Sequence, residues 1–187
     1  MTRDEAEALD LELNRYLENC SQRMGIEKPF YDCVMGNIII SPEPMKKDMI
    51  VLADHSFSIK PGNIRLDLKA CIAAGIELAV SLSKPENVFN YIQLILLGCI
   101  FISKTAITKL SPACAAMVYA LHEQRCDNYG IDEAHLKAEI ERLARIGKID
   151  SFDFSKFDEA LNQLLKMHVV DMEAGKITLA ETVCVRW

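Results

Sequence analysis

Apolar residues recur along this chain at helical spacing in several separate runs, each bounded by residues that start or stop helices. Leu9, Leu13, Tyr16, Leu17, Cys20 and Met24 stand three or four apart, so one face of a first helix is apolar and the other acidic. Thr2 with Glu5 three positions on makes a capping box ahead of it, and Gly25 can close it. After Pro61-Gly62-Asn63, the residues Leu68, Ile72, Ile76, Ala79 and Leu82 define a helix over about 65–83. Its small residues Ala70, Ala73, Ala74 and Gly75 permit close packing. Pro85 is expected in the first turn of the next helix, where a missing amide is tolerated. That helix carries Ile92, Leu94, Ile95, Leu96, Leu97, Ile100, Phe101 and Ile102, apolar on most sides, which predicts a buried centre for the N-terminal half.

The stretch 26–62 breaks the pattern. Pro29, Pro42, Pro44 and Pro61 interrupt it, while 37–40 and 49–53 are short β-like runs. They form either a small hairpin around 41–48 or extended segments laid over helices, so 26–62 is expected as a small β or irregular insertion. The apolar run within 88–103 contains Asn90 and Gln93 and falls short of the ~20 residues a membrane span needs. No membrane association is expected.

From 111 onward the runs shorten. Ser111-Pro112 opens a helix with Cys114, Met117, Val118 and Leu121 on one face, and Asp132 opens a second with Leu136, Ile140 and Leu143. A third, from about Asp153 or Ser155, presents Phe157, Leu161, Leu164 and Leu165, with Phe152 and Phe154 placed before it as a hydrophobic staple. Residues 168–172 and 177–179 then alternate as two strands around a turn at Ala174-Gly175. The fold class expected is mainly α with minor β, a helical bundle over 1–110 followed by a second unit over 111–187. The connector 104–110 is too short and too apolar to be a free linker, so the halves should share a rigid interface.

Three helices followed by a β-hairpin resemble the winged-helix superfamily, at the level of architecture and over residues 111–187 only. That resemblance implies a module used by some proteins to read DNA and by others to dock or dimerise, and likeness of fold does not choose between them. Charge weighs on the choice. The chain has 187 residues, with 27 acidic against 21 basic and a net charge of -6, which supplies no general attraction to phosphate. From 111 on, 9 basic residues face 13 acidic ones, a local net of -4. As a DNA reader, the module would use Lys156, Asn162, Gln163 and Lys166 on the third helix toward base edges. Arg142, Arg145 and Lys148, with Lys176 of the wing, would anchor phosphates. The acidic balance instead favours a protein partner, or a second copy of the chain, over DNA.

Enzymatic chemistry finds little support. Asp54-His55-Ser56 sets three catalytic residue types side by side, but neighbours in extended backbone point to opposite faces, so a polar turn is the better reading. His122 and Cys126 stand four apart without Cys114 or His135 completing a metal pattern. There is no GxxxxGK[ST], GxGxxG or HExxH, and no cofactor or small-molecule substrate is expected. Seven cysteines without a CxxC pair suit a reducing compartment, and the charged N-terminus does not read as an export signal, so the cytoplasm is expected. Of the aromatics, Tyr31, Tyr129 and Trp187 are candidates for a binding face, with packing of Trp187 on the preceding strand preferred over a dimer contact. The leading expectation is a noncatalytic interaction or regulatory adaptor acting through the winged-helix surface and the first helix. The alternative is a DNA-binding transcription regulator.

Overall fold

The computed structural model describes residues 1–42, 63–124, 130–150 and 152–186. In them the chain is mainly α with minor β. The N-terminal half consists of α1 (Arg3–Met24), α2 (Lys28–Gly36), β1 (Ile38–Ile40), β2 (Ile64–Leu66), α3 (Leu68–Ser81) and α4 (Asn87–Ser103). There follow α5 (Pro112–Glu123), β3 (Ile131–Asp132), α6 (Glu133–Arg145), a 3-10 turn (Phe154–Lys156) and α7 (Phe157–Lys166). The chain continues through β4 (Val170–Glu173), β5 (Lys176–Leu179) and β6 (Val183–Val185).

α4 is the hub. Val88, Tyr91, Ile92, Leu94, Ile95, Leu96, Cys99 and Ile102 are all buried, because α1, α2, α3 and α5 each lie against it. A helix apolar on most sides must be largely wrapped, and of the residues of α4 only Asn90 is exposed. None of the described helices is long and apolar enough to cross a membrane. α1 covers one flank with Leu9, Leu13, Leu17 and Cys20. Its ends follow the sequence: Thr2 and Glu5 form the reciprocal capping box, and Gly25 takes the left-handed conformation at φ 66°. Tyr31 turns its hydroxyl to the Asn14 side chain, which ties α2 to α1.

α3 meets α4 through a glycine. A Cβ built on Gly75 would lie 1.8 Å from Cε1 of Tyr91, so only a residue without a side chain lets the ring lie flat against α3. The buried Tyr91 hydroxyl donates to the Cys71 carbonyl at 2.6 Å and sits 3.2 Å from the Sγ atoms of Cys71 and Cys33. Phe30 of α2 packs beside it, ring centroids 5.6 Å apart. α2, α3 and α4 are thereby fastened around one phenol.

Several sequence expectations shift here. The start of 26–62 is not an irregular insertion: Pro29 lies in the first turn of α2, where proline is tolerated, and Phe30 and Val34 are core residues. The run 37–40 contains a strand, β1, which pairs on one side with β2, Ile38 opposite Leu66 and Ile40 opposite Ile64; the hairpin expected around 41–48 lies outside the described residues. The run 49–53 and the tripeptide Asp54-His55-Ser56 lie outside the described residues. Arg65 belongs to β2 and not to the helix, which begins at Leu68; its guanidinium holds Asp67 at 2.6 Å. Pro85 stands in the turn before α4, accepting from Val88 through its carbonyl, and α4 itself begins at Asn87.

The last described strand crosses back. β6 pairs with β2 in the N-terminal sheet, of order β1-β2-β6, with Val183 opposite Leu66 and Val185 opposite Ile64. A division at 110/111 would therefore separate β6 from the strand it completes.

The contact at Tyr91 makes a contrast testable. Gly75→Ala should destabilise the protein by about 1–3 kcal/mol through overpacking, more than the helix propensity alanine supplies. Gly98→Ala, whose Cβ would meet Leu17 at an ordinary 3.7 Å, should be neutral or stabilising. Urea denaturation of the two variants reads both, and equal midpoints would contradict the account.

Candidate functional site

The C-terminal half runs helix, strand, helix, helix, hairpin. β5 lies between β3 and β4, all antiparallel, with Ile131 opposite Ile177 and Met172 opposite Ile177 on its other side. The turn at Ala174-Gly175 takes positive φ at both residues, 49° and 75°, as a tight two-residue connection requires. α7 turns Phe157, Ala160, Leu161 and Leu164 inward against α5 and β4. Outward it presents Asp158, Glu159, Asn162 and Lys166, with Lys156 exposed just before.

Gln163 does not join that outward face. Its Oε1 accepts from the Ser111 amide at 2.9 Å and from Cys114 Sγ at 3.4 Å, while Nε2 donates to the Lys109 carbonyl at 3.2 Å. Ser111 makes no side-chain cap at the start of α5, and Gln163 reaches its amide from α7. The expected base reader is thus a clamp that fastens the connector and α5 to α7.

Three of the four expected phosphate anchors are engaged as well. Arg142 grips Glu139 with Nε at 2.8 Å and its terminal nitrogen at 2.6 Å; the Glu139 side chain is 6% exposed. That paired guanidinium holds the Glu139 carboxyl below its usual range against the opposing pull of burial. Lys148 donates to Glu123 at 2.7 Å, and its ammonium stands 6.0 Å from the Tyr119 ring. Lys176 reaches Asp132 at 3.3 Å, tying the hairpin to the start of α6. Only Arg145, Lys156 and Lys166 of the expected cations stay exposed without an ion pair among the described residues. The Arg142-to-Glu139 spacing of three was visible in the sequence; the roles of Gln163 and of the Asp132–Lys176 tie depend on contacts distant along the chain.

Apolar groups are exposed on this half. Phe154 is 37% exposed, at the edge of an aromatic group in which Phe152 lies 5.0 Å from Phe154 and 6.5 Å from Phe157. Ile146 and Met172 are exposed about half, at 53% and 48%. Phe152 and Phe154 thus do precede α7 as a pair, but Phe154 faces outward. Trp187 and Tyr129 lie outside the described residues.

Burial pushes the Cys71 and Cys114 thiols up to about 12 and the Cys99 thiol higher still, so they remain protonated at neutral pH. Among the described residues no group of three or more histidine, cysteine or acidic side chains is placed to hold a metal ion. Cys126, the expected neighbour of His122, lies outside them.

Asp132 offers a pH test. Its carboxylate caps α6 by accepting from the His135 amide at 2.9 Å, and that bond, with the His135 ring and Lys176, brings its pKa from 3.8 to about 2. A depressed carboxyl contributes stability above its unfolded pKa, which is lost as pH falls through the folded one. Asp132→Asn keeps a good N-cap but removes the titration. The variant should lose the part of the acid destabilisation that falls between about pH 4 and pH 2, read from urea midpoints; an unchanged pH profile would contradict the assignment.

Compared with known proteins, the chain matches no family model, no curated protein and no solved structure, so its functional reading rests on its own residues.

Proposed function

We propose that this chain is a noncatalytic interaction or regulatory protein. It holds a protein partner, or a second copy of itself, through a C-terminal winged-helix-type module together with α1. The order α5, β3, α6, α7, β4, β5, with β5 central in its sheet, supports the winged-helix reading. The observation that carries the choice of partner is the pairing of Arg142, Lys148 and Lys176, three of the four expected phosphate anchors, with the module's own carboxylates. A DNA reader aims lysine and arginine outward, because phosphate contacts dominate its affinity. Arg142, Lys148 and Lys176 instead close onto Glu139, Glu123 and Asp132, and Gln163 is spent inside the fold. Arg145, Lys156, Asn162 and Lys166 remain, among the exposed acids Glu141, Asp158 and Glu159.

A protein interface makes different demands: apolar anchors with a polar rim, and charge that selects the partner. Phe154, Ile146 and Met172 on the module and Leu11 on α1 are such exposed anchors. Among the described residues the thiols are unpaired and mostly buried, which fits a reducing, cytoplasmic setting.

Fluorescence anisotropy against a pool of labelled duplex DNA tests the reading. No saturable binding is expected at about 0.15 M salt, and a complex that persists there would overturn it. In the positive arm, a photo-cross-linking residue at position 154 should capture a discrete protein or a second copy. Met172→Lys should reduce that yield about tenfold if the two side chains share an interface.

A further inference from the structure

The Tyr91 hydroxyl draws thiols from two helices to one oxygen. Its single proton goes to the Cys71 carbonyl, the shortest of its contacts at 2.6 Å, which leaves two lone pairs to face sulfur. Cys71 Sγ of α3 and Cys33 Sγ of α2 each lie 3.2 Å from that oxygen, so at most twice that distance separates them. Both thiols stand on fixed backbone. The Cys71 carbonyl is held by the phenol, and the Cys33 carbonyl accepts from the Asn37 side-chain amide at 2.8 Å. Phe30 and Val34, to either side of Cys33 along α2, are fully buried.

The two thiols differ in access. Cys33 is half-buried, whereas Cys71 is wholly inside, where burial raises its thiol to about 12. A reagent arriving from solvent therefore meets Cys33 before Cys71. Only that one sulfur has to be reached, and by a molecule little larger than water, so no groove or pocket is needed. A turn of χ1 from one staggered well to the next carries a cysteine sulfur about 3 Å, so side-chain rotation is enough to bring the pair toward a bond of about 2 Å.

We propose that Cys33 and Cys71 form a reversible dithiol site, which a hydroperoxide oxidises to a disulfide that fastens α2 to α3. In the first step the Cys33 sulfur attacks the peroxide. The O–O bond breaks, an S–O bond forms, the Cys33 proton passes to the departing alkoxide to give an alcohol, and Cys33 becomes a sulfenic acid. In the second step the Cys71 sulfur attacks that of Cys33. The S–S bond forms, the S–O bond breaks, and the hydroxide leaves with the Cys71 proton as water. The two thiols have given up two electrons and the hydroperoxide has gained them. A dithiol reductant restores both thiols, so in a reducing setting the bond is transient.

The test treats the folded full chain with a small molar excess of hydrogen peroxide, alkylates the remaining thiols in denaturant and maps the peptides by mass spectrometry. A pair of peptides joined through Cys33 and Cys71 is expected, and it should disappear on reduction with dithiothreitol. Cys33→Ser should abolish the link and leave Cys71 open to alkylation. Cys184→Ser, which removes an exposed thiol, should leave the link unchanged. The same treatment of the native sequence in urea needs no variant to fold. There Cys33 should scatter among the seven cysteines of the chain, because the shared phenol no longer gathers it with Cys71. A link formed no more selectively by the folded chain than in urea would overturn the proposal. So would recovery from the folded chain of Cys33 as a free thiol, as a sulfinic acid or joined to a different cysteine.

Discussion

The need to cover most of α4 governs the rest of the molecule. A solvated helix buries one stripe; this one buries more than half of its circumference, leaving Asn90 exposed and Phe89, Gln93, Leu97, Ile100 and Phe101 half-buried on the remaining face, and the surrounding helices pack against the buried part. That demand explains why α5, the first helix of the C-terminal half, is itself almost wholly buried from Cys114 to Leu121. It is covered on one side by α4 and on the other by α6 and α7. The two halves meet through shared core, and the Gln163 clamp and the β2–β6 pairing reinforce that contact from either side.

Local signals in the sequence were read well where one element decides the matter by itself. The capping box at Thr2, the stop at Gly25, the Asp132 cap and the hairpin turn at Ala174-Gly175 depend on residues within one or two turns of each other. What sequence reasoning missed depends on distant contacts. Arg65 looks helical beside the run that follows, yet it is held in a strand because β1 and β6 pair on either side of it. Pro29 looks like a break but opens a helix, since only the tertiary setting tells whether the residues after a proline have a core to face. The same division holds at the surface. Counting charge correctly described an acidic module, but composition says nothing about geometry, and only the fold reveals that the half-exposed Arg142, Lys148 and Lys176 are paired with Glu139, Glu123 and Asp132.

Those pairings are modest in energy, because most of the groups remain in contact with water. Their effect is on availability. A lysine already bridged to a carboxylate presents a weaker field to an approaching anion, and a glutamine whose oxygen and nitrogen are both engaged has little left for a base edge. Glu139 is the exception in degree, a carboxylate largely out of water whose ionised form Arg142 favours.

The return of β6 to β2 also orders events in time. Between Leu66 and Val183 lie α3, α4, α5, α6, α7 and the strands β3 to β5, so the N-terminal sheet receives its third strand only after all of these have been synthesised. On a ribosome the first half must wait with β2 paired to β1 alone, the backbone groups of Ile64 and Leu66 that face away from β1 still exposed to water or to a stray strand. Contacts this far apart along the chain slow folding, and the closing strand makes completion of the N-terminal sheet a late step coupled to the assembly of the C-terminal half.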